Sequence, residues 1–230
     1  MLPKLETPTY TLTIPSTGEE IVYRPFLVKE HKILLTLKDS DEKEVSRILK
    51  ELINSCTFNK IDVNKLTFFD IEYFFINLRA KSIGEIVEVL VRCTNCEEQF
   101  DASFNLLDAK TINNDQSNKI KLDNEYGVVL KYPDLQEIAK MFSQEDGYDI
   151  VDLIIDSIEG IYTEQDYWDA MSSSREEIKE FIESLTQQQF KNIEQFYTNL
   201  PKVVLDFKSE CTHCNHVNET RLSGLMNFFI

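Results

Sequence analysis

Residues 88–106 read EVLVRCTNCEEQFDASFNL, and residues 204–225 read VLDFKSECTHCNHVNETRLSGL. Each stretch is an alternating apolar–polar run, then Cys-x-x-Cys, then a second alternating run. That is the pattern of a strand, a tight turn and a return strand. Each also places an apolar residue eleven positions after its first cysteine, Phe104 and Leu222. The two stretches are one device used twice. A Cys-x-x-Cys turn sets two sulfurs on one side of a hairpin tip, at a bite that suits tetrahedral coordination. Two such tips supply four thiolates, Cys93, Cys96, Cys211 and Cys214, which close the shell of a Zn2+ ion at about 2.3 Å per Zn–S bond. A closed shell leaves no position for water or substrate, so the zinc expected here is structural rather than catalytic.

The separation of the pairs is unusual. Positions 97 to 210, 114 residues, lie between Cys96 and Cys211, where common zinc ribbons have about 15–20. The metal would clamp the two ends of a long insertion. The entropy of closing such a loop grows only logarithmically with length, and zinc binding of about 10–16 kcal/mol in small fingers can cover it. The same cysteines admit other readings: unrelated buried thiols, two redox pairs, or an iron site. Neither pair opens a helix after a strand, as thioredoxin-like motifs do. His213 and His216 read as neighbours of the site, since four thiolates already complete the shell. Cys56 falls in an apolar stripe and reads as a small buried hydrophobe. His31 has no acidic or nucleophilic partner in view and reads as structural.

Outward from the knuckles, residues 8–24 alternate around a Ser16-Thr17-Gly18 turn and predict a β-hairpin. Residues 27–38 predict a helix. A second follows, with Asp41 and Glu44 at its start and Val45, Ile48, Leu49, Leu52, Ile53 and Cys56 on one face. A third covers 65–80. Residues 113–118 are a polar loop, 119–132 a further hairpin turning near Asp123-Asn124, and 134–143 a helix opened by Pro133. From 148 to 198 the periodicity is helical, with Ile150, Val151, Ile154, Ile155 and Ile158 on one face and a Thr186–Gln189 capping box. The fold class is α+β: an N-terminal β-hairpin at 1–26, helices at 27–85, paired zinc-ribbon-like knuckles at 86–106 and 202–225, and a hairpin plus a mainly helical insertion at 107–201. No linker rich in Pro, Gly or Ser divides the chain, so one compact domain over 1–230 is expected.

Composition narrows the function. The 230 residues carry a net charge of −16, and phosphate backbones are bound mainly through Lys and Arg, so no nucleic acid is expected. The knuckles themselves carry Glu97, Glu98, Asp101, Glu210 and Glu219. No apolar run reaches the length of a membrane span, and Met1-Leu2-Pro3-Lys4 lacks a signal peptide's basic start and apolar core. A reducing compartment follows, in which five cysteines are thiols or metal ligands. The chain lacks GxxxxGK[ST], GxGxxG, HExxH and GxSxG motifs, and pairs such as Glu176/Glu177 sit on charged helical faces. The expectation is no enzyme and no small-molecule substrate. Arg79-Ala80-Lys81 is the one local basic cluster; it reads as a helix C-terminus with favourable cations, or as a docking site for an acidic partner.

Residues 8–26, PTYTLTIPSTGEEIVYRPF, continue into LVKEHKILL, and residues 69–85 read FDIEYFFINLRAKSIGE before the first CxxC. This set, with its terminal second CxxC, resembles the baseplate hub subunits and hub-assembly proteins of T-even-type contractile-tailed bacteriophages. The resemblance is strongest over about 8–100. It implies a non-enzymatic protein made in the infected bacterium's cytoplasm, acting with other hub proteins, and present in the virion tail baseplate if it persists there. The competing class is a zinc-ribbon regulator of nucleic acid or of the transcription machinery.

Overall fold

The computed structural model describes residues 5–36, 42–112, 117–134, 136–137, 140 and 149–223. Asp41, the loop tip at 113–116, most of the helix expected at 134–143 and the apolar end at 226–230 lie outside the described residues. The contacts gather the chain into two compact units, one of residues 1–40, 47–112 and 202–230, the other of 41–46 and 113–201. Each has its own sheets and its own apolar core.

In the first unit, strands β1 (Tyr10–Thr13) and β2 (Glu20–Tyr23) pair antiparallel. Gly18 takes a positive φ of 70° in the turn between them, where a side chain would be strained. Helices α1 (Val28–Thr36), α2 (Glu42–Cys56) and α3 (Phe68–Ser82) follow. The expected stripe of α2 is buried from Ile48 through Leu49, Leu52 and Ile53 to Cys56, which is fully inaccessible. Burial pushes the Cys56 thiol up to about 11, so it stays protonated and inert. Thr67 and Asp70 cap α3 reciprocally, and the Asp70 carboxylate also accepts from the Ser16 N–H and hydroxyl. The helix start is thus tied to the first hairpin.

Strands β3 (Ile86–Arg92) and β4 (Gln99–Asn105) form the first knuckle hairpin. Strands β10 (Lys202–Glu210) and β11 (Val217–Ser223) form the second. Strand β5 (Lys110–Ile112) adds to the outer edge of β10. Inward-facing Val87, Phe104, Val203 and Leu205 pack against Ile76 and Ala80 of α3, and the Phe104 and Phe207 rings lie 4.9 Å apart. The buried Glu72 carboxylate of α3 accepts from the Val203 N–H at 3.2 Å, which pins the start of β10.

The second unit is a four-stranded antiparallel sheet in the order β6 (Lys119–Lys121), β7 (Gly127–Leu130), β8 (Ile158–Tyr162), β9 (Tyr167–Asp169). It packs with α4 (Ile150–Ser157), α5 (Arg175–Glu183) and α6 (Gln187–Thr198) around Val128, Leu130, Ile154, Ile193 and Phe196. The insertion is helical over those spans, and the Thr186–Gln189 box is formed. Where the sequence predicts a helical face running from Ile150 through Ile158, the chain instead breaks after Ser157, and Ile158 opens β8. The reason is local: Gly160 disfavours helix, while Ile158, Ile161, Tyr162, Tyr167 and Trp168 favour strand. Among the described residues, no helix is long and apolar enough to cross a membrane. The α+β class is as expected, with more sheet in the insertion than its periodicity suggests.

Candidate metal centre

The two knuckles are copies related by a shift of 118 positions, from Cys93 to Cys211. Val87 pairs with Phe104 and Leu205 with Leu222; Arg92 pairs with Gln99 and Glu210 with Val217. At each tip the first cysteine's N–H donates to the carbonyl five positions on, Glu98 or His216, at 2.9 Å. Its carbonyl accepts from the N–H four positions on, Glu97 or Asn215, at 3.0 and 2.9 Å. That fourth residue is left-handed in both copies, at φ 63° for Glu97 and 58° for Asn215. The N–H of the residue after next points at the first sulfur, Asn95 to Cys93 and His213 to Cys211, each at 3.4 Å. These turns aim both sulfurs of a pair the same way.

The four sulfurs all lie within 4.8 Å of one another. Cys93 and Cys214 are 3.6 Å apart, and Cys96 and Cys211 are 3.7 Å apart. Tetrahedral Zn–S bonds of about 2.3 Å imply S···S edges of about 3.8 Å, so the set fits such an ion. Cys93 and Cys211 are buried, Cys96 and Cys214 half-buried, and Phe100 packs beside them. Four cysteines placed so closely could hold a metal ion.

The electrostatics point the same way. Burial pushes the Cys93 thiol up, but the Cys96 and Asn95 backbone N–H groups, with Asn218 and Cys214, outweigh it and hold the group down at about 6. The Glu98 N–H favours the Cys96 thiolate, yet burial and the three neighbouring sulfurs drive it up to about 12. The His216 backbone N–H and the Asn95 amide hold Cys214 below its ordinary range. Four thiolates this close repel one another, so the full set of charges is stable only around a cation.

The metal-capable group among the described residues is made of the four cysteines alone. His213 and His216 are exposed, and the His216 ring reaches Thr94 Oγ1 at 3.1 Å. Cys56 sits in the α2 core, and His31 stacks on Phe26 with centroids 5.8 Å apart. Lys81 of the basic cluster pairs with Glu85 at 2.6 Å and lies over the Tyr10 ring. Glu177 helps cap α5 with Ser174. Sequence reasoning missed Asn218, which is 2 % exposed. Its carbonyl accepts from the Thr94 N–H at 2.9 Å and the Thr94 hydroxyl at 3.0 Å. Superposing the two CxxC stretches would have flagged it, because an inward position held by Phe100 in one copy is an asparagine in the other.

A family model described as T4 bacteriophage base plate protein matches residues 7–230. No curated protein matches the chain, and no solved structure does.

Proposed function

The chain belongs to the T4 bacteriophage base plate protein family, and from that premise we propose that it acts at the central hub of the baseplate, as a hub component or a hub-assembly factor. The observation that carries this reading is membership over nearly the whole chain, joined to the hub-like segments at 8–26 and 69–85. A structural baseplate role suits a non-enzymatic protein. In this reading Cys93, Cys96, Cys211 and Cys214 hold one structural Zn2+, which would staple the two knuckles and leave no open coordination position. In this reading the protein is made in the host cytoplasm and partnered by other hub proteins, without nucleic acid, membrane or small-molecule substrate.

Charge supports the partner class. Residues 113–201 hold 19 of the 40 acidic residues but only 7 of the 24 basic ones. A surface so negative favours basic protein partners and repels nucleic acid. The test is affinity capture of the tagged protein from infected cells, together with mass spectrometry of purified virions. Recovery with hub proteins is expected. Stoichiometric presence in virions selects the component over the assembly factor. Salt-sensitive DNA binding at physiological ionic strength, with no hub partner, overturns the proposal in favour of the regulator.

A further inference from the structure

The two knuckles match in register, turn hydrogen bonds and backbone strain, yet they are not equivalent. The strand position that holds buried Phe100 in the first holds buried Asn218 in the second. Asn218 reaches across to the other hairpin. Its carbonyl oxygen takes both Thr94 donors, and its amide donates to Cys93 Sγ at 3.7 Å and to the His216 carbonyl at 3.2 Å. Since the Thr94 hydroxyl donates to Asn218, it is left to accept from His216 Nε2–H at 3.1 Å, which sets that ring's tautomer. Every donor in the chain His216–Thr94–Asn218–Cys93 meets an acceptor. A buried amide satisfied in this way rigidifies its surroundings, whereas a partly satisfied one destabilises them.

We infer that Asn218 is the positioning residue of the metal centre, a clasp that holds the Cys93 turn against the second knuckle and tunes the Cys93 sulfur by an N–H···S bond. The inference rests on reading the four cysteines as a metal site. The clasp has no counterpart in the opposite direction, because its mirror position is Phe100, which can only pack. Among the described residues, Asn95 reaches the other way, its amide 3.7 Å from Cys214 Sγ. The Cys93 knuckle is therefore the one released when the clasp is cut. Hydrogen-bonding partners of metal ligands commonly change affinity by about 10–100-fold when removed.

The test compares wild type, Asn218→Leu and Thr94→Val after loading with Zn2+. Leucine restores an apolar residue where the other copy has Phe100, and valine removes only an exposed hydroxyl. Transfer of Zn2+ to a chromophoric chelator is followed by stopped flow. One Zn2+ per chain is expected in all three. Release should quicken about tenfold in Asn218→Leu and less in Thr94→Val, which keeps the backbone bond. The double variant should match Asn218→Leu rather than add to it. Wild-type release rates in both single variants overturn the positioning role. The Thr94 amide's hydrogen exchange is read in parallel on metal-free protein: slow in wild type and fast in Asn218→Leu supports the clasp, and equal rates overturn it. Failure of the wild type to bind Zn2+ overturns the metal reading itself, and the exchange result still decides the clasp.

Discussion

Glu30 is 4 % exposed yet carries a charge. Burial favours its neutral form, but Arg24 at 3.0 Å, the Leu27 N–H at 2.7 Å and the Ser55 hydroxyl at 2.9 Å outweigh it and hold the carboxyl down at about 2. Its pKa in the folded chain lies below the ordinary 4.5. The stabilisation is therefore present above pH 4.5 and is lost as pH falls toward 2. Glu30→Gln should cost about 3 kcal/mol at pH 7. That gap should shrink across the same acid range, as urea unfolding at stepped pH would record; a pH-independent gap would mean that packing, not charge, is at stake. At the proposed metal centre, Cys93→Ser and Cys211→Ser each leave three thiolates. Both should lose Zn2+ in elemental analysis and loosen the two knuckles together, while Cys56→Ala should keep full metal content. Independent behaviour of the two serine variants would break the shared-site reading. The four cysteines were legible in the sequence because sulfur pairs at a hairpin tip have few other uses. The mismatch of Asn218 with Phe100 was legible as well, but its role was not, because a buried amide declares its partners only in three dimensions.

Elements followed the sequence wherever one signal dominated. Strand β3 begins and ends where the alternation does, and α6 starts on its capping box. Strand β8 was illegible because Ile154, Ile155 and Ile158 satisfy a helical period as well as a strand following a helix. Gly160 and the strand-forming residues after it decide between them, and the Tyr167 side chain then covers Gly160, where an added Cβ would come within 2.3 Å of its hydroxyl. The Asp70 link shows what a cap can do beyond its own helix. One carboxylate closes the first turn of α3 and holds the Ser16 turn of the β1–β2 hairpin. Asp70→Ala should remove both and lower stability by about 2–3 kcal/mol. Ser16→Ala, which loses only the hydroxyl bond, should cost about 1 kcal/mol. Thermal unfolding of the two variants checks the order, and equal losses would show that the Ser16 link alone matters.

At the scale of the whole molecule, strand pairing closes the insertion inside the span that a metal held by the cysteines would clamp. Lys202 of β10 pairs directly with Ile112 of β5, so the chain leaves and re-enters the first unit at neighbouring residues of one antiparallel ladder. Residues 113–201 stand where a hairpin loop would. Replacing them with Asn-Gly, a turn that suits a two-residue hairpin, should leave one Zn2+ bound per chain and a cooperative unfolding transition. Loss of metal binding would mean that the insertion supports the knuckles. Affinity for a basic partner should fall with the insertion, since it carries nearly half of the acidic residues. The sequence by itself determined the local devices: where strands turn, where helices are capped, and which four sulfurs form pairs. These depend on residues a few positions apart. Only the tertiary structure decided what else meets between distant segments, namely that Asn218 clasps Thr94 and that the β5–β10 ladder ends the insertion. Such contacts arise from burial and strand pairing between distant segments, which no local period records.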